Sequence, residues 1–182
     1  MKTFRPLEGI RIVDVSHVIA GPFATFQLAQ MGAEVLKIEH INGGDVMRRS
    51  AKGPRAFAAL NAGKKKIRLD IDATADRERI IMLARNADVF VDNLRPGVLE
   101  TKGLGYEALK AVNPRIIYCS ISGFGRSGGT RRADRVQAEE ATGVHMQCVQ
   151  LEPTILGAVA RSHPLQVLAD HAQDLIRGRR IQ

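Results

Sequence analysis

The stretch Ile10-Arg11-Ile12-Val13-Asp14-Val15-Ser16-His17-Val18-Ile19-Ala20-Gly21-Pro22-Phe23-Ala24 decides how the rest of the chain is read. Ile10, Ile12, Val13 and Val15 form a β-branched run of strand length behind the breaker Gly9, which predicts a buried strand ending near Ser16. Gly21 permits an unusual backbone angle or a close approach. Pro22 fits the first turn of a helix, where its missing N–H would have no partner anyway. A helix through Met31 follows. Strand, tight turn and helix start, in this order, put free backbone N–H groups at the carboxyl edge of a sheet, where α/β proteins hold nucleotide-like ligands. A plain βα turn carries the same signature, so the stretch by itself leaves the ligand open.

Outward from it the unit repeats. Glu34 to Glu39 alternates polar and apolar residues and predicts a second strand, leaving through the Gly-rich loop Asn42-Gly43-Gly44-Asp45. From His40 to about Arg55 there is little apolar periodicity, and Arg48, Arg49, Lys52 and Arg55 make the segment read as an exposed cationic loop. Lys64-Lys65-Lys66 leads into a strand over Ile67 to Ile71. Thr74 to Ala87 has amphipathic helix spacing through Ile80, Ile81, Leu83 and Ala84. Val89-Phe90-Val91 is a short buried strand with Asp92-Asn93-Leu94-Arg95-Pro96-Gly97 as the loop at its end. A short helix over Tyr106 to Val112 stops at Asn113-Pro114, because proline disfavours helical geometry in the residue before it. Arg115 to Ser122 supplies a fifth strand. Strand and helix alternate throughout, which predicts an α/β, Rossmann-like fold with a mostly parallel sheet and helices on both faces. Beyond Gly129 the pattern decays into an irregular tail, with helical spacing only over Val136 to Val149 and Leu165 to Ile176.

The chain has 182 residues, 45% of them hydrophobic, which suits one domain with a real core. Its 27 Lys and Arg against 19 Asp and Glu give a net charge of +8, favouring a polyanionic partner. Aromatics are 4% with no Trp, too few to stack single-stranded nucleic acid, and no zinc-finger or RNA-binding signature is present, so a nucleic-acid partner is not expected. Cys119 and Cys148 lack CxxC partners, and His145, His163 and His171 lack ligand spacing, so neither a disulfide framework nor a metal site is expected. The N-terminus carries no signal-peptide apolar run and no stretch is long enough to cross a bilayer. A cytoplasmic protein is the expectation.

A family resemblance rests on Pro6-Leu7-Glu8-Gly9-Ile10-Arg11-Ile12-Val13-Asp14, Ala20-Gly21-Pro22, Gly32 to Glu39 and Asn93-Leu94-Arg95-Pro96-Gly97. It continues through Gly103 to Glu107, Asn113-Pro114-Arg115 and Tyr118 to Gly125. In order and spacing these motifs resemble the N-terminal part of the family III CoA-transferases, the group that includes the formyl-CoA transferases and alpha-methylacyl-CoA racemases. The resemblance implies transfer of CoA between an acyl-CoA and a carboxylic acid, with CoA or acyl-CoA as substrate and no permanently bound cofactor. It implies a CoA-binding part over residues 1–125 and a degenerate continuation over residues 126–182. By similarity His17, Val18 and Ala20 form the adenine-side turn, Lys64 or Lys65 is a phosphate-side lysine, and Asn93, Leu94 and Arg95 cup the pantetheine and diphosphate. Some family members carry arginine at the positions of His40 and Thr101, with Lys102 and Arg48 nearby here to compensate.

In the family one aspartate attacks the acyl-CoA thioester to give a mixed anhydride and then an aspartyl-CoA thioester. Pro153-Thr154-Ile155-Leu156-Gly157-Ala158-Val159-Ala160 resembles the approach to that residue. Direct spacing then puts Ser162 at the nucleophile position, whereas an insertion after Gly157 would put Asp170 there. Asp134, among Arg131, Arg132 and Arg135, reads as a salt-bridged loop residue. Family members continue into a small domain and pair as interlocked chains. The resemblance therefore implies a truncated or degenerate form that keeps CoA binding without enzyme-like turnover, as a homodimer or beside a full-length paralogue. A non-catalytic binding or interaction module associating with such a paralogue is the alternative reading.

Overall fold

The computed structural model describes residues 5–49 and 53–122. Expectations for Asp134, Ser162, Asp170, the three C-terminal histidines and the helices over residues 136–149 and 165–176 fall outside the described residues. The element order is β1 (Arg11–Asp14), α1 (Ala20–Gln30), β2 (Glu34–His40), a 3-10 turn (Val46–Arg49), α2 (Gly53–Leu60), β3 (Lys65–Leu69), α3 (Thr74–Arg85), β4 (Val89–Asp92), α4 (Val98–Thr101), α5 (Tyr106–Val112) and β5 (Ile117–Ser120). The strands form one sheet in the order β3-β2-β1-β4-β5. Every neighbouring pair is parallel.

Strand β1 sits at the centre, with Ile12 beside Val35 of β2 and Val89 of β4. Ile12, Val35 and Val91 point to one face, where Ala20, Ala24, Leu28 and Ala29 of α1 cover them. Val13, Ile38, Phe90 and Tyr118 point to the other, beneath Ile80 and Ala84 of α3 and Leu109 of α5. The period-2 alternation of side chains thus feeds two apolar layers, and both faces of the central strands are removed from water. The Phe90 and Tyr118 rings stack at 5.5 Å.

Two local readings are corrected and one element is added. The segment read as a cationic loop, His40 to about Arg55, holds the 3-10 turn and the start of α2, whose Phe57 is buried under the Arg48 guanidinium at 3.8 Å. The periodicity there was masked because the turn is four and the helix eight residues long, and the cation stacked on Phe57, Arg48, comes from the turn before the helix. Strand β3 begins two residues earlier than expected, at Lys65, since it is the sheet edge and its lysines need no apolar cover. A one-turn helix, α4, follows Gly97, which takes φ 89° to start it.

Candidate functional site

The strand order reverses direction between β1 and β4, so the loops leaving these two strands diverge to opposite faces and leave a crevice at the carboxyl edge. Val15 extends the pairing by donating its N–H to Val91 O at 2.9 Å. The chain then turns through Ser16 to Ile19 before α1. Gly21 is required there: a Cβ at that position would lie 2.2 Å from Ser16 Cβ. The turn is held from three directions. Asn93, from the β4 loop, accepts the His17 N–H at 2.7 Å and donates to His17 O at 2.7 Å. Asp14 accepts from Ser16 N–H at 3.0 Å and from the Ser16 hydroxyl. Asp45, from the loop after β2, accepts the Val18 N–H at 3.2 and 3.3 Å. Val18 itself has φ 67°, the left-handed region that a β-branched residue rarely occupies.

Beneath the turn lies a buried ionic network. Lys64 Nζ reaches Asp14 Oδ2 at 3.0 Å, Pro22 O at 2.8 Å, Thr25 Oγ1 at 2.7 Å and Asn61 Oδ1 at 2.9 Å. Lys37 is wholly buried, donates to Ser16 O and stands 3.5 Å from Asp45 Oδ2. Burial pushes the Asp14 carboxyl up, but the Lys37 and Lys64 charges and hydrogen bonds from Ser16 and Thr25 outweigh it and hold the group below 3.8. Burial lowers Lys64. Glu39 is raised by burial, yet ends below 4.5 because Arg48 donates to both its oxygens and Asp45 N–H to one. For His17, burial and the Lys37 charge lower the imidazole below 6.5, so the ring is neutral at neutral pH, its Nδ1 3.9 Å from Asp45 Oδ2.

Of the residues expected at the site, His17 and Val18 lie on the loop after β1, Ala20 opens α1, and Asn93, Leu94 and Arg95 lie on the loop after β4. Arg95 is exposed and pairs with no carboxylate among the described residues. Lys64 is beneath the crevice, its ammonium surrounded by four oxygens. Lys65 is on the edge strand, exposed and 3.6 Å from Glu34. The cations expected to compensate for His40 and Thr101 are engaged as well: Arg48 with Glu39 and Lys102 with Asp72. Among the described residues no cluster of His, Cys, Asp or Glu could hold a metal ion, and no helix is long and apolar enough to cross a membrane.

The family model of CoA-transferase family III matches residues 7–154, which include both loops of the crevice. The chain belongs to CoA-transferase family III. It is 42% identical over 156 residues to an acyl-CoA transferase of Fusarium pseudograminearum, covering 77% of this chain and 34% of that protein. It is 43% identical over 133 residues to the succinyl-CoA:glutarate CoA-transferase of Mus musculus, covering 69% and 30%. Against the acetyl-CoA:oxalate CoA-transferase of Acetobacter aceti identity is 40% over 129 residues, covering 68% and 33%. The chain thus spans about a third of the length of the curated relatives it matches. Among solved structures, a CAIB/BAIF family protein of Brucella suis superimposes with a TM-score of 0.66 at 34% identity, covering 87% of this chain and 40% of the other. Rv3272 of Mycobacterium tuberculosis gives 0.66 at 29%, covering 96% and 52%.

What the motifs of this family III chain did not reveal is the network that shapes the turn. Asp14, Thr25, Lys37, Asp45 and Asn61 are all buried, yet none carried a role in the sequence reading. A signal existed: an inner strand of a helix-covered parallel sheet has no solvent face, so the charges of Lys37 and Glu39 had to be buried and paired.

Proposed function

We propose that this chain binds the coenzyme A part of an acyl-CoA across the β1/β4 crevice, as the CoA-binding part of an enzyme that moves CoA between an acyl-CoA and a carboxylic acid. The observation that carries this reading is the turn at the switch point, fixed by Asn93 and Asp45 and lying beside the exposed Arg95 in a family III chain. CoA arrives and leaves as a substrate. In this reading His17, Val18 and Ala20 receive the adenine side, and Asn93, Leu94 and Arg95 receive the pantetheine and diphosphate. Lys64 acts from below by fixing Asp14 and the first turn of α1, so the phosphates meet Arg95 and not the Lys64 ammonium. Glutarate and oxalate, named for two relatives, are both dicarboxylates, and a short dicarboxylic acid is the acceptor class we propose.

We propose that the chain alone binds CoA without enzyme-like turnover, and that Asp170 is the nucleophile wherever turnover occurs. Its carboxylate would attack the thioester carbonyl, forming a mixed anhydride and releasing the CoA thiolate. The thiolate would then attack the aspartyl carbonyl, forming an aspartyl-CoA thioester and releasing the free acid. With Ser162 at that place no such anhydride forms. Calorimetric titration with CoA, dephospho-CoA and duplex DNA tests the binding reading: CoA should bind more tightly than dephospho-CoA, and DNA binding of equal or greater strength would overturn it. Mass spectrometry after incubation with an acyl-CoA tests the nucleophile. For the chain alone neither steady turnover nor an adduct is the expected result; turnover with an adduct on Asp170, lost in Asp170→Ala, would overturn the inactive reading and establish Asp170 as the nucleophile. Self-association belongs to the same proposal and is read by sedimentation velocity.

A further inference from the structure

We propose that Asp45 is a positioning residue for this site: it forces Val18 into its left-handed conformation and so shapes the turn that receives the ligand. Three observations meet here. Val18 is the one non-glycine residue with positive φ among the described residues, at 67°, and β-branched side chains resist that region because Cβ crowds the backbone. Such a conformation persists only where its surroundings over-determine it. The Asp45 carboxylate supplies that force. One oxygen accepts both Val18 N–H and Met47 N–H, at 3.2 and 2.9 Å, while the other stands 3.3 Å from Val18 N and 3.5 Å from the Lys37 ammonium.

Nothing in this arrangement can slide. Asp45 is wholly buried, and its own N–H is fixed on Glu39 at 3.1 Å. Lys37, equally buried, holds Ser16 O on the near side of the same turn. The carboxylate therefore ties the loop after β2 to the loop after β1, and the Val18 side chain, 41% exposed, is turned outward beside Ile19 and Phe23, exposed by 55% and 48%. Without Asp45, Val18 would relax to an ordinary backbone angle, releasing its N–H and reorienting its exposed side chain. Asp45 itself contacts no ligand.

This inference rests on the CoA-binding reading for its consequence, and the test separates the two. Native-state hydrogen exchange followed by NMR on the full chain reads the Val18 amide without ligand. Its protection should approach that of the β1 amides in the wild type and fall by about tenfold or more in Asp45→Asn, which keeps the shape but weakens the acceptor. Asp45→Ala should weaken CoA affinity by about tenfold or more, and Val18→Gly, which removes the backbone strain together with a side chain of the site, serves as the reference for a double variant. Measured against Val18→Gly alone, Asp45→Ala in that background should cost less than half the fold-loss it causes in the wild type, a difference that a merely stabilising Asp45 would not show. If Asp45→Ala does not fold, the exchange data on the wild type and Asp45→Asn decide. A freely exchanging wild-type Val18 amide, or Asp45→Ala with unchanged affinity, overturns the inference. A wild type that fails to bind CoA overturns the function reading alone, since the amide measurement still stands.

Discussion

At the scale of single residues, Lys64 and Arg95 show how burial decides what a cation does. Lys64 is enclosed by Asp14, Thr25, Asn61 and the Pro22 carbonyl, and removing it leaves the Asp14 charge buried without its closest counterion. Lys64→Met should destabilise the fold by about 3–5 kcal/mol in urea denaturation. Arg95 is exposed and makes no comparable contacts among the described residues. Arg95→Ala should leave the denaturation midpoint in place and weaken CoA binding by about 1–3 kcal/mol, read by calorimetry. The pH dependence follows from the carboxylates. Asp14 and Glu39 are held below their ordinary values of 3.8 and 4.5, so the folded state binds fewer protons than the unfolded one in that range. Their contribution is complete above about pH 4.5 and is lost as pH falls through the folded values. Fluorescence-monitored or calorimetric unfolding should show stability declining below pH 4.5, with the decline reduced in Asp14→Asn.

At the scale of elements, the turn between β1 and α1 is where local sequence and tertiary packing meet. Gly21→Ala would drive a methyl group into Ser16, 2.2 Å away, and should cost about 1–3 kcal/mol of stability with a matching loss of ligand affinity. Most strands and helices could be read from the chain because each carries its own period: Val13 and Val15 point one way from β1, while Ile80 and Ala84 recur at helical spacing. The same logic explains the failures. Helix α2 presents one buried aromatic, Phe57, among small and cationic residues, and α4 is a single turn set by Gly97. Neither is long enough for a period to emerge. At the site, Asn93 and Arg95 were legible through motif spacing. Asp45 was not, because its meaning comes from Val18, a residue 27 positions earlier that only the sheet brings into reach.

At the scale of the whole molecule, the net charge of +8 sets up a long-range attraction for a polyanion such as CoA. Raising the ionic strength from about 0.01 M to about 1 M shortens the screening length from about 30 Å to about 3 Å, and the association rate in stopped-flow mixing should fall accordingly. A rate insensitive to salt would remove charge from the account. The charge is unevenly placed, since the edge strand β3 exposes Lys65, Lys66 and Arg68. Cations on an open edge discourage pairing with a further strand, and Lys66 lies over the Phe57 ring at 5.7 Å.

The two hydrogen bonds between His17 and Asn93 join positions 76 apart in the chain. On a ribosome adding about 5–20 residues each second, the β1 turn therefore emerges about 4 to 15 seconds before its clamp has been synthesised. Throughout that interval β2, β3 and three helices can assemble against one side of β1, while the crevice has a single wall. The nascent protein passes through a period in which its sheet is half built and its binding site does not yet exist, and only the arrival of β4 brings the second wall.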